Sequence, residues 1–105
     1  MAFGIKRDEL IAWKKQVSAG ELAFLTHFWV HPTRPEWHTV TKAGCNDLEK
    51  LMAWGEAYGL QEKWIHHRPA YPHFDLLGAV QYQVLIDVGL NSHIERFRIK
   101  APQNG

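Results

Sequence analysis

The first forty residues alternate between helical and extended patterns of apolar side chains. Residues 8–17 place apolar side chains at helical intervals, with Asp8 positioned to cap the start of a helix and Gly20 positioned to end it. Residues 21–30, ELAFLTHFWV, are apolar on both alternating faces, which is typical of a strand in the centre of a sheet. After a loop with two prolines, residues 39–42, TVTK, predict a short second strand.

The middle of the chain carries the sharpest helix signals. Asn46 followed three residues later by Glu49 is a capping-box pattern of the Asx kind, so we expect a helix to start there. Gly59 followed by Leu60 predicts a Schellman ending, with glycine in the left-handed conformation and an apolar residue after it. The pattern therefore predicts a second helix between these two signals.

The last third repeats this order of elements. Residues 64–66 predict a strand, Asp75 is positioned to cap a helix that Gly89 closes, and residues 93–100, HIERFRIK, alternate as a strand would. Strands that alternate with helices favour an α/β domain of two or three layers, with a parallel or mixed sheet of about four strands and about three helices.

Composition places the chain among small globular proteins. Its 105 residues predict a single domain over residues 1–105, with a frayed tail at 101–105. A hydrophobic content of 46% argues against disorder, and a net charge of +1 is far from the basic balance of most nucleic-acid binders. One cysteine excludes an intrachain disulfide, and no apolar run reaches the roughly 20 residues of a membrane span, so we expect a cytoplasmic protein without a membrane partner.

The candidate chemistry concentrates in residues 64–75, WIHHRPAYPHFD. His73 and Asp75 are two apart, so an extended backbone places them on one face, where His73 can act as base or ligand and Asp75 can orient it. Arg68 is the third catalytic candidate, because its guanidinium can hold an anion. The simpler interpretation of Asp75 is a helix N-cap, which is worth about 1 kcal/mol.

The same stretch is compatible with a divalent transition metal. Adjacent residues on a strand point to opposite faces, so only one of His66 and His67 can readily join His73 and Asp75. Such a nitrogen and oxygen ligand set suits zinc, manganese, nickel or iron. Two further histidines, His27 and His31, are weaker candidates for the same set.

Three basic residues form the candidate anion site, namely Arg34, Lys42 and Arg68. Together with five tryptophans they are compatible with binding of single-stranded nucleic acid by stacking and charge. We favour the simpler interpretation, in which most of the tryptophans belong to the core.

Part of the chain resembles a small domain family of unknown function found in bacteria and phages. The resemblance covers about positions 40 to 90 and rests on the leucine-rich helix that ends in Gly59 and Leu60, on Trp64, and on the His-aromatic-Asp motif at residues 73–75. Lys42 stands where that family tends to have a histidine, and residues 1–38 match nothing in it. The chain is also similar to small uncharacterised proteins of Bacillus-type bacteria. Neither resemblance implies an activity.

Two classes of function remain open. The first is a small hydrolase or phosphoryl-transfer enzyme, or an anion-binding site, built on residues 66–75 with or without a metal. The second is a non-enzymatic binding module or homo-oligomer in which the same residues are structural.

Overall fold

The computed structural model describes residues 4–34, 37–67 and 71–101. Within these ranges it has four α-helices rather than about three, and three strands rather than about four. In chain order the elements are α1 (Arg7–Ser18), β1 (Ala23–Phe28), β2 (Thr39–Gly44), α2 (Leu48–Glu56), a 3-10 helix (Glu62–Trp64), β3 (His73–Leu76), α3 (Gly78–Asp87) and α4 (Asn91–Phe97). None of the helices in these ranges is both long and apolar enough to span a bilayer.

The three strands form one antiparallel sheet in the order β1-β2-β3, so the predicted parallel or mixed sheet is wrong. At one end of the β1–β2 pair the amide of Trp29 donates to the carbonyl of His38, and next to β2 the amide of Cys45 donates to the carbonyl of Pro72. A parallel pair needs a crossover of a dozen or more residues, whereas only ten residues separate the end of β1 from the start of β2. The α/β content itself is confirmed.

The described residues divide into two compact units. Unit A comprises residues 5–25 and the described parts of residues 42–75, and unit B comprises Gly4 with the described parts of residues 26–41 and 76–105. Each unit is described separately below. The prediction of a single domain over residues 1–105 stays a prediction.

In unit A, α1 packs against the start of β1. Four side chains form this core, namely Trp13, Val17, Ala23 and Leu25, and Trp13 also donates its indole N–H to the Ala23 carbonyl at 3.1 Å. On the other face of β1, Phe24 meets Trp54 of α2 with ring centroids 5.6 Å apart. Helices contact both faces of β1, which explains why the strand is apolar on both faces. Its predicted central position is wrong, since β1 is an outer strand of the sheet.

Helix α2 begins one residue later than its capping pattern predicts. The N-cap is Asp47, whose Oδ1 accepts from the Lys50 amide at 3.2 Å, while Asn46 donates its side-chain amide to the Ser18 carbonyl. At the other end, Gly59 has φ +74° and the Leu60 amide donates to the Gly55 carbonyl. The Schellman ending is therefore confirmed, and the Asn46 cap is wrong.

Unit B holds α3 and α4. Residues 93–100 do not form the predicted strand, because Ile94 and Phe97 are spaced for one face of a helix, and α4 occupies Asn91–Phe97. Phe97 is buried and contacts the ring of Phe28, with centroids 4.9 Å apart. Gly89 ends the preceding helix as predicted, with φ +76°.

Candidate functional site

His73 opens β3 and lies buried against α1. Only 4% of the residue is exposed, and its ring meets the edge of the Trp13 ring with centroids 6.0 Å apart. Its Nδ1 lies 2.9 Å from the carbonyl oxygen of Tyr71. A carbonyl only accepts, so Nδ1 carries the proton and, in the neutral ring, Nε2 carries a lone pair. Burial lowers the pKa of His73, an effect that outweighs the opposing influences of the Tyr71 carbonyl and Asp75.

Asp75 does not cap a helix. It lies inside β3, and the N-cap of α3 is Leu77, which makes no side-chain capping bond. Phe74 and Leu76 explain the difference, because both are almost fully buried and their alternation extends the strand past Asp75. The carboxylate is therefore not committed to a helix end, and its side chain is 32% exposed.

His66 brings a second imidazole to this carboxylate. The predicted strand at residues 64–66 is wrong, since a 3-10 helix ends at Trp64, but His66 forms an isolated antiparallel bridge with His73. The bridge stacks the two imidazoles, with centroids 5.3 Å apart and an interplanar angle of 18°. His66 Nε2 lies 3.0 Å from Asp75 Oδ2, and His73 Nε2 lies 3.5 Å from Asp75 Oδ1.

The register of the sheet adds a cation to this group. Since Cys45 pairs with Pro72, the antiparallel ladder places Lys42 across from Asp75. Lys42 is half-buried, and its charge is one of the influences that lower the pKa of His73, after burial. We call Lys42, His66, His73 and Asp75 the histidine–aspartate cluster. All four lie in unit A.

The remaining candidates occupy other places. His67 is exposed next to His66, and Arg68 lies outside the described residues. The other three candidates lie in unit B. His27 is buried, with Nδ1 2.9 Å from the Phe28 carbonyl oxygen. His31 accepts from the backbone amides of Thr33 and Arg34, and the Arg34 guanidinium lies over the ring of Trp37.

The geometry gives no support to the metal interpretation. In the described part of the chain, no group of three or more histidine, cysteine, aspartate or glutamate residues is arranged to hold a metal ion. The histidine–aspartate cluster has suitable ligand types, but each Nε2 faces its own oxygen of the same carboxylate.

A second polar group was not anticipated from the sequence. In unit B, Gln81 Nε2 donates to Thr41 at 3.0 Å, Thr41 and Thr26 share a hydrogen bond of 2.7 Å, and Thr26 lies 2.9 Å from Nδ1 of His93. Because the Gln81 amide nitrogen can only donate, one consistent direction runs from Gln81 to His93. Thr26, Thr41 and Gln81 are all buried, which makes this chain of hydrogen bonds a structural element.

Comparison with known proteins gives one close relative. A protein of Bacillus subtilis (strain 168) named "Uncharacterized protein YneQ" is 54% identical over 99 residues, which are 94% of this chain and 100% of that protein. The chain belongs to the YneQ family. This confirms the likeness to small Bacillus-type proteins. No family model matches, so the likeness to the bacterial and phage domain family gains no support, and no solved structure matches this chain.

Proposed function

We propose that the histidine–aspartate cluster is an acid–base site of a small hydrolase. The observation that carries the proposal is the 3.0 Å approach of Asp75 to Nε2 of His66, an imidazole whose side chain is 54% exposed. With Nε2–H donated to the carboxylate, the lone pair of His66 is on Nδ1. An exposed imidazole oriented by a carboxylate can take a proton from a water molecule, and the carboxylate stabilises the imidazolium that forms.

His73 does not compete with His66 for the negative charge of Asp75. Burial and the Tyr71 carbonyl favour the neutral ring with its proton on Nδ1. A neutral His73 leaves the negative charge of Asp75 to His66, so the exposed imidazole is the better candidate for the base. Lys42, across the ladder from Asp75, can stabilise negative charge on a substrate. Arg68 stays a candidate for the same task.

The test is hydrolysis of p-nitrophenyl acetate and p-nitrophenyl phosphate by the wild type and three variants. We expect His66→Ala and Asp75→Asn to lower the rate at least about tenfold, because general acid–base groups contribute ~10²–10⁴-fold. His67→Ala is the matched control, since it removes the neighbouring exposed histidine, and its rate should stay within about twofold of wild type. Activity in the presence of EDTA separates this site from a metal-dependent one.

The non-enzymatic alternative makes the opposite forecast. If these residues serve only the fold, the wild type will not exceed the buffer rate on either ester, or His66→Ala will hydrolyse them as fast as His67→Ala. Urea unfolding of the same variants distinguishes lost chemistry from lost structure. The proposal requires Asp75→Asn to lose rate with a free energy of unfolding equal to or higher than that of the wild type.

A further inference from the structure

A shallow pocket on unit A lies between α1 and the segment that precedes β3. One stripe of α1 and its C-cap line one side, and Tyr71 lines the opposite side; the α1 residues are Ile11, Lys14, Lys15 and Ser18, and the C-cap is Ala19. The pocket volume of about 440 Å³ falls within the usual range for small-ligand sites. Its lining includes two lysines and no acidic side chain.

The wall of the pocket is held in place by packing and by one hydrogen bond. Tyr71 packs against Trp13, with ring centroids 6.2 Å apart, and its carbonyl accepts from Nδ1 of His73. Lys14 Nζ lies 5.3 Å from the centroid of the Tyr71 ring, and both residues line the pocket. A half-buried lysine and an aromatic ring thus lie next to each other.

Lysines near a helix C-terminus often bind the last carbonyl groups of the helix. In α1 these carbonyls are bound by other groups. The carbonyls of Lys15, Gln16 and Val17 accept backbone amides from the three residues after the helix. The Ser18 carbonyl accepts from the side chain of Asn46. The negative end of α1 is therefore satisfied without the ammonium groups of the pocket.

We infer that this pocket binds a small aromatic anion of the phosphomonoester class. Its phosphate would lie between the ammonium groups of Lys14 and Lys15, within reach of the Ser18 hydroxyl, and its ring would lie against Tyr71 and Ile11. Phosphate favours two adjacent cations, and the apolar part of such a ligand favours the aromatic and aliphatic wall. This inference does not depend on the proposed hydrolase.

The test is isothermal titration calorimetry with phenyl phosphate as the probe. We expect a dissociation constant of about 1 mM or tighter for the wild type, as suits a ligand of this size, and weaker binding as salt is raised. The double variant K14Q/K15Q should bind at least about tenfold more weakly. K63Q, which removes an exposed lysine of the 3-10 helix, should change the affinity less than about twofold.

Three results would overturn the inference. They are no measurable heat with wild-type protein and millimolar phenyl phosphate, equal binding by K14Q/K15Q and K63Q, and inorganic phosphate binding as tightly as phenyl phosphate. Circular dichroism of each variant verifies its fold. The two lysines are half-buried or exposed and neither belongs to the core of unit A, so we expect the double variant to fold.

Discussion

Replacing Gly44 with alanine tests the packing that positions the histidine–aspartate cluster. Gly44 lies in β2, across the ladder from His73, and α1 rests directly on it. A Cβ at this position would lie 2.5 Å from Cζ2 of Trp13 and 2.9 Å from Cγ2 of Val17. Both side chains belong to the core of unit A, so neither can move without disturbing its neighbours.

The expected cost follows from three terms. Alanine in place of glycine in a strand gains about 0.5–1 kcal/mol, whereas overpacking a filled core costs about 1–3 kcal/mol. Displacing Trp13 also weakens its hydrogen bond to the Ala23 carbonyl, worth about 0.5–1.5 kcal/mol. We therefore expect Gly44→Ala to lower the free energy of unfolding by about 0.5–4 kcal/mol, a large part of the stability of a small protein.

Urea unfolding with an unchanged m-value measures this loss. The control is the same substitution in a Trp13→Phe background, where the smaller ring leaves room for the new methyl group. In that background Gly44→Ala should cost at least about 1 kcal/mol less, as a double-mutant cycle would show. A Gly44→Ala protein as stable as the wild type would refute the reasoning, and so would an equal cost in both backgrounds.

Two further predictions concern His73 and α2. Because burial lowers the pKa of His73 below its ordinary 6.5, the unfolded chain binds more protons there, and stability should fall as pH drops below about 6.5. Urea titrations of the wild type and His73→Asn at several pH values between about 5 and 7 should show a flatter slope in the variant, and parallel slopes would contradict the assignment. Asp47→Ala should cost about 1 kcal/mol of unfolding free energy, and more than Glu49→Ala, because the Asp47 side chain accepts the Lys50 amide. If Glu49→Ala instead costs more than Asp47→Ala in thermal or urea unfolding, the capping box of Asn46 and Glu49 is the correct assignment.

Local signals predicted the helix ends better than they predicted the sheet. Gly59 and Gly89 were identified correctly because a left-handed helix end requires glycine and leaves its mark within a few residues. The strand predicted at residues 93–100 is wrong, because this segment fits two patterns at once. Its polar and apolar residues alternate as in a strand, but Ile94 and Phe97 are also spaced for one face of a helix, and the helix forms. Strand direction depends on which distant segments pair, and no local pattern encodes that pairing.

The sequence predicts the segment that holds the candidate site, but the contacts within the site follow from the pairing of the strands. Spacing alone placed His73 and Asp75 on one face, and the choice between His66 and His67 was left open. The antiparallel bridge between His66 and His73 decides that choice, because bridged partners project to the same side of the sheet. Lys42 became part of the cluster through the register of β2, which the sequence does not reveal.

The position of Asp75 bears on whether the cluster is more than structural. As a helix cap, the carboxylate would have been fully explained by the amides that it accepts. Within β3 it faces the lone pair of a neutral His73 at 3.5 Å, and two acceptors at that distance do not stabilise each other. The favourable contact is the one with half-exposed His66, and an exposed pair of this kind adds little to stability. A carboxylate placed at some cost to the fold, oriented on an accessible imidazole, is the arrangement that an acid–base role requires.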